Sequence, residues 1–338
     1  MVRNVSEAPI NQHAAPIRRE SALAGTYRLA AEAASLIYIA IIASIAFATG
    51  AFYVLFPELA ALSNDVFTRP RGTWARAPLL LAITPPLAGV IGIFVTRLLP
   101  YGLPSVLADV CASIALIIVL RSPVAPSISA GLLPLVLGMR SWWYPPAILF
   151  GTILLASLSI PWKRYSIERA AGARSPGQVA EEAMHAAPRD YSGLAPLLLF
   201  VAIATGIVEL TGLRFVLFPP LVVIGFEMFA HPATCPWAER SLILPIVCFL
   251  SAAGGLLCLN VIGANPATAV LSMAWGIIVL RSFNLHAPPA LAVALLPMVM
   301  NRPTWAYPIS VGMGTLLLTF SFLLWNALPV RTASLRSA

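Results

Sequence analysis

Long apolar runs recur along the whole chain, and no other feature limits the fold as much. Pro78 to Thr96 carries no charged side chain, nor does Leu242 to Met273, and shorter runs of the same kind lie between. Runs of 18 residues or more with few or no charges are how transmembrane helices read. The whole sequence supports this: 59% of its 338 residues are hydrophobic and only 10% are charged, with a mean hydropathy of +0.87. A soluble domain carries about 25% charged residues, so a cytosolic enzyme, a secreted disulfide scaffold and a disordered chain are all excluded. The sequence predicts an all-α, polytopic transmembrane protein.

The net charge of +8 does not point to nucleic acid. Lys163 is the one lysine, and the arginines sit mostly singly between apolar segments rather than clustered on one face. That spacing fits basic residues in cytoplasmic loops. Cys111, Cys235, Cys248 and Cys258 form no CxxC pair and no zinc spacing. The first 28 residues hold Arg3, Arg18, Arg19 and Arg28, with neither an apolar h-region nor a secretory cleavage site.

The chain also matches itself. Val-Leu-Phe-Pro stands at 54–57 and 216–219, and Ile-Ile-Val-Leu-Arg-Ser at 117–122 and 277–282. Leu-Leu-Pro at 132–134 matches 295–297, Tyr144-Pro145 matches Tyr307-Pro308, and Gly151-Thr152 matches Gly314-Thr315. Matches in the same order at nearly one offset indicate two tandem repeats, as in many transporters. The expected layout is an N-terminal cytoplasmic tail at 1–30, a membrane repeat at 31–161, a polar cytoplasmic linker at 162–193, a second repeat at 194–329 and a tail at 330–338. Within the linker, 178–187 could form a short surface helix.

Each repeat breaks into six apolar segments, about 31–49, 51–67, 78–99, 103–120, 126–138 and 145–161 in the first, giving about 12 in all. The second segment of each is interrupted by proline and the fifth is short. If every segment crosses from a cytoplasmic N-terminus, Arg69, Arg71, Arg76, Arg121, Arg240 and Arg281 lie inside. Only Arg97, Arg140, Arg214 and Arg302 are left outside, as the positive-inside rule prefers. Both termini are then cytoplasmic and the two repeats parallel, in a bacterial inner membrane.

Leu285-His286-Ala287-Pro288-Pro289-Ala290 follows an apolar helix ending near Arg281, with Phe218-Pro219-Pro220 and His231-Pro232 upstream and Tyr307-Pro308 downstream. This order resembles the HPP family of integral membrane proteins, named for a His-Pro-Pro motif. Here Ala287 separates His286 from the prolines, the first repeat has Pro123-Val124-Ala125-Pro126 without histidine, and the duplication is not the simplest form of the family. The resemblance implies a small-molecule transporter, with nitrite transport proposed for plastid members.

From the residues themselves, Pro126, Pro288 and Pro289 open short helices whose free N–H groups and dipole ends favour anions. Arg121 and Arg281 share a place in the repeated hexapeptide and could present guanidinium groups to an anion; the plainer reading is interfacial snorkelling. With His286, these form the expected substrate site. Asp65 and Glu227 coincide four residues before Arg69 and His231, as candidates for proton coupling, or as edge acids paired with Arg69 or Arg240. Trp142, Trp143, Tyr144, Trp305 and Tyr307 read as an interfacial aromatic belt rather than a cationic cage. No HExxH, GxSxG or Walker loop occurs, so no catalytic residue, metal or cofactor is expected. The expected function is a secondary transporter or permease for a small solute, an anion such as nitrite, another small oxyanion or a carboxylate. The alternative is a non-transporting scaffold or sensor subunit. Membrane lipid and the solute are the expected partners; a homo-oligomer is left open and nucleic acid is excluded.

Overall fold

The computed structural model describes residues 14–169 and 191–328, with side chains described at 25–166 and 192–328. Among them are 13 α-helices and no strand. They are α1 Ala14–Thr49, α2 Glu58–Thr68, α3 Thr73–Arg76, α4 Pro78–Leu98, α5 Leu103–Val119, α6 Ser127–Leu137 and α7 Tyr144–Arg169. After the gap come α8 Leu194–Thr211, α9 Pro219–Ala230, α10 Leu244–Ile262, α11 Pro266–Ser282, α12 Pro289–Leu295 and α13 Ala306–Ala327. Six spans are long and apolar enough to cross a membrane; they lie in α1, α4, α7, α8, α10 and α13. The set fits a membrane-embedded protein.

Local chemistry accounts for the helix ends. Pro78, Pro104, Pro245 and Pro266 stand in the first turns of α4, α5, α10 and α11, where a missing N–H costs nothing. Asn265 caps α11 by accepting from the Thr268 N–H at 3.1 Å. Gly50 and Gly212, at φ 72° and 73°, stop α1 and α8 in the left-handed conformation that glycine adopts freely. Two ends differ from expectation. α1 begins at Ala14, well ahead of 31, because the alanines, leucines and arginines of 14–30 favour helix as strongly as the apolar run does. α7 continues through Pro161 to Arg169, eight residues beyond the expected end of the repeat. The 178–187 stretch and the 330–338 tail lie outside the described residues.

The same contacts occur twice. Thr49 Oγ1 donates to Ile45 O and accepts from Ala51 N, and Thr211 does the same with Ile207 O and Leu213 N. The Tyr144 hydroxyl donates to Ala130 O at 2.9 Å and Tyr307 to Val293 O at 2.6 Å. α4 approaches α6 through Gly92 on Gly131, and α10 approaches α12 through Gly255 on Ala294.

Contact positions fix the running directions. Tyr27 meets Ser166 while Tyr38 meets Gly151, so α1 and α7 are antiparallel. Leu59 lies on Gly151 and Phe67 under Trp162, so α2 runs with α7. Thr84 pairs with Ser122, Gly92 with Gly131 and Arg97 with Arg140, so α4 and α6 are parallel. Between the halves, α1 packs on α11 and α5 on α8; α2 packs on α12 and α6 on α9. These contacts are reciprocal, as about a two-fold axis. Glu209, near the end of α8, accepts from Leu103 N at the start of α5, and Glu32 of α1 meets Arg281 at the end of α11. Both cross-pairs are therefore antiparallel.

Candidate functional site

The second and fifth segments of each half are broken, and the breaks lead inward. After Gly50 the chain makes a 3-10 turn at Phe52–Val54 and resumes helix only at Glu58; after Gly212 it turns at Arg214–Leu217 and resumes at Pro219. Past α5 it turns at Arg121 (φ 49°) and resumes at Ser127; past α11 it turns at Asn284 (φ 46°) and resumes at Pro289. In hydrocarbon an unpaired backbone group costs several kcal/mol, so such breaks survive only inside protein or beside water. The residues that open all four short helices are buried, and these helices form the seam between the halves.

The first turns of α2 and α6 meet there, with Ser129 Oγ donating to the Glu58 carboxylate. The second Glu58 oxygen, both Asp109 oxygens and the hydroxyls of Ser113, Ser127, Ser251 and Ser272 are buried with no partner among the described residues. Asp109 and Ser113 lie one turn apart on α5 and converge on Gly131 of α6. A Cβ at Gly131 would stand 3.2 Å from each Asp109 oxygen and closer still to Ser113 Oγ. The glycine leaves room for these polar groups. Tyr144 lies within electrostatic reach of both Glu58 and Asp109. Among the described residues no group of His, Cys, Asp and Glu could hold a metal.

The expected site residues are dispersed. Pro126 and Pro288 are the N-caps of α6 and α12, and Pro289 is the first residue of α12; all three are buried. His286 is half-buried in the stretch that enters α12. Arg121 and Arg281 are not equivalent, which corrects the reading from the hexapeptide. The Leu120 N–H bonds Ile118 O and Leu116 O, as the Phe283 N–H bonds Arg281 O and Val279 O. The left-handed residue that follows is Arg121 in one half and Asn284 in the other. The geometric offset is 163, so the repeated word is three residues out of register, close to one helical turn, which leaves a purely apolar pattern looking alike. Arg121 is exposed at the rim. The Arg281 guanidinium is held by Glu32, with Nε at 3.1 Å and Nη2 also engaged, and Glu32 takes Arg28 as well. The Nε/Nη2 edge of this guanidinium is thus taken by a carboxylate, whose negative charge also opposes an anion there.

Asp65 pairs with Arg69, and Glu227 Oε2 lies 3.8 Å from His231 Nε2, both at i,i+4 and both buried. This is the edge-acid alternative for Asp65. The aromatic group divides: Trp142, Trp143 and Trp305 are exposed, as a belt requires, whereas Tyr144 and Tyr307 are buried and brace α6 and α12. At the far end, Arg214 stacks 5.1 Å over Tyr101, whose phenol burial pushes up to about 12 against the opposing pull of Arg214.

The site residues expected from the sequence do not include Glu58, Asp109 or Ser113. The signal is present: an acid in the middle of an apolar helix, with a serine one turn on. No family model matches the chain, and neither a curated protein nor a solved structure is significantly similar to it.

Proposed function

We propose that the protein is a multi-pass permease of the cytoplasmic membrane. It is built from two tandem, parallel repeats of six segments, and it passes a small solute along the seam between them. The observation that carries this reading is the meeting of broken helices α2 and α6 around buried polar groups that have no partner among the described residues. Discontinuous helices at the interface of internal repeats are where secondary transporters place their sites, and polar groups kept deep in such a bundle mark pathways.

The repeats are supported by the doubled hydrogen bonds of Thr49 and Thr211 and of Tyr144 and Tyr307. Orientation rests on charge. The end that carries the Glu32–Arg281 pair also gathers Arg28, Arg69, Arg71, Arg76, Arg121, Lys163, Arg164 and Arg240, against Arg97, Arg140, Arg214 and Arg302 at the other. The basic end is cytoplasmic by the positive-inside rule, with both termini on that side.

The solute is a small anion of the nitrite or short-carboxylate class, in line with the HPP resemblance. Its attraction comes from the N-terminal dipole ends of α6 and α12 rather than from Arg121 or Arg281. The chain acts as no enzyme and takes no cofactor. The test is uptake of labelled nitrite, nitrate, formate and acetate into proteoliposomes. Saturable uptake of at least one, lost in a variant that fills the seam such as Ser129→Phe, is expected; uptake of none refutes the permease. A non-transporting scaffold is the second reading, favoured by α12, whose seven residues carry no polar side chain and are all buried.

A further inference from the structure

We propose that Asp109 is a proton-binding site, the place where the protein takes up the proton that accompanies its solute. The inference rests on the permease reading for its purpose, though not for its geometry. Asp109 is 0% exposed, near the middle of α5, and neither oxygen has a partner among the described residues. Its carboxylate and Ser113 Oγ crowd the one face of α6 that lacks a side chain, at Gly131.

No positive charge reaches it from the elements packed around α5. α4 offers no titratable group between Pro78 and Thr96, and α6 offers none. α8 contributes Glu209 alone, which is occupied at the rim by Leu103 N. α5 itself adds Cys111, which is exposed. Tyr144 of α7 and, through it, Glu58 of α2 complete the surroundings. None is a cation. A bare carboxylate in such a place is expensive, so it must gain either a positive ion or a proton. Ca²⁺ takes six to eight oxygens and Mg²⁺ needs six in an octahedron, whereas Asp109 and Ser113 supply three at this glycine. A proton needs one oxygen to bind and one acceptor, and Ser113, one turn away, is the acceptor at hand.

The bookkeeping is simple: the carboxylate takes one proton from water on one side of the membrane and returns it on the other. While protonated it offers no repulsion to an anion arriving at the first turn of α6. Ionised, it would repel that anion. Proton and anion then travel together.

Infrared spectroscopy of the full chain in lipid, titrated across pH, tests this without knowing the solute. The wild-type protein should show the C=O band of a protonated buried acid that converts to a carboxylate band at high pH. Asp109→Asn should lose that band. So should Asp109→Ser, which places at 109 the residue that stands at the equivalent position, Ser272, and so guards against a folding artefact. Glu58→Gln should keep it. A carboxylate band for Asp109 at every pH, or spectra in which neither Asp109 variant removes any acid band, overturns the proposal. The permease reading stands or falls separately on the uptake panel.

Discussion

Adding one methyl at Gly92 or Gly255 tests how the two halves are built. A Cβ on Gly92 would lie 2.8 Å from the Gly131 carbonyl carbon and 3.1 Å from its Cα; on Gly255 it would lie 2.8 Å and 3.1 Å from the same atoms of Ala294. Carbon pairs settle at about 3.5–4.0 Å, so the helices must part by roughly 0.7 Å or more. The obstructing atoms are backbone and cannot rotate aside. Overpacking of this kind costs about 1–3 kcal/mol, while replacing a helical glycine by alanine returns about 0.5–1 kcal/mol. Each variant should therefore lose up to about 2.5 kcal/mol net. Gly206→Ala is the control: its Cβ meets nothing within 4 Å, so it should gain about 0.5–1 kcal/mol. Reversible unfolding in mixed micelles, followed by tryptophan fluorescence, measures all three. If Gly92→Ala and Gly255→Ala are as benign as Gly206→Ala, the close approach of the broken helices is wrong. If only one of the pair is destabilised, their equivalence is wrong.

Tyr144→Phe and Tyr307→Phe each remove one buried hydrogen bond to a short helix, and each should cost about 0.5–1.5 kcal/mol in the same unfolding assay; values far apart would contradict the doubled geometry. The Glu32–Arg281 pair, its guanidinium side chain 37% exposed, should show a coupling of no more than about 1 kcal/mol in a double-mutant cycle. Arg281→Ala should also leave solute uptake within about twofold of wild type, and an abolished uptake would return Arg281 to the substrate site. In a cysteine-free background, cysteines at Arg121 and Lys163 should label from one side of the membrane and those at Arg140 and Arg302 from the other. Labelling of Arg121 and Arg302 from the same side would refute the alternating directions.

The sequence reveals its helices wherever solvent or lipid leaves a mark. Apolar runs bounded by Pro78, Pro104 and Pro266 become helices with those prolines in the first turn, because proline there gives up a donor that has no partner anyway. Gly50 and Gly212 end helices as their freedom at positive φ allows. What stays hidden is register within apolar sequence. The hexapeptide match between 117–122 and 277–282 is literal, yet the chain pairs Arg121 with Asn284, because the turn after the helix sets the frame and Leu, Ile and Val do not. Tyr144 and Tyr307 hide for another reason. Beside Trp142, Trp143 and Trp305 they look interfacial, and only the fold shows their hydroxyls reaching back 14 residues to a carbonyl.

The differences between the halves separate scaffold from chemistry. Glycine at the helix approach and tyrosine on the short helix stand in both, since each is demanded by backbone geometry. At the positions matching Glu58, Asp109, Ser113, Ser127 and Ser129, the second half has Pro220, Ser272, Gly276, Ala290 and Ala292. Of these only Ser272 is polar, so the fold closes without the two carboxyls and the other hydroxyls. Burying a polar group without a partner costs about 1–3 kcal/mol, and more for a charge. At these matched positions the first half bears this cost at Glu58, Asp109, Ser113 and Ser127, and the second only at Ser272. A cost that packing does not require has to be recovered in another state of the protein, one in which these groups meet a proton or a solute. For the permease proposed above, that argument puts the buried polar groups of the pathway on α2, α5 and α6 of the first half.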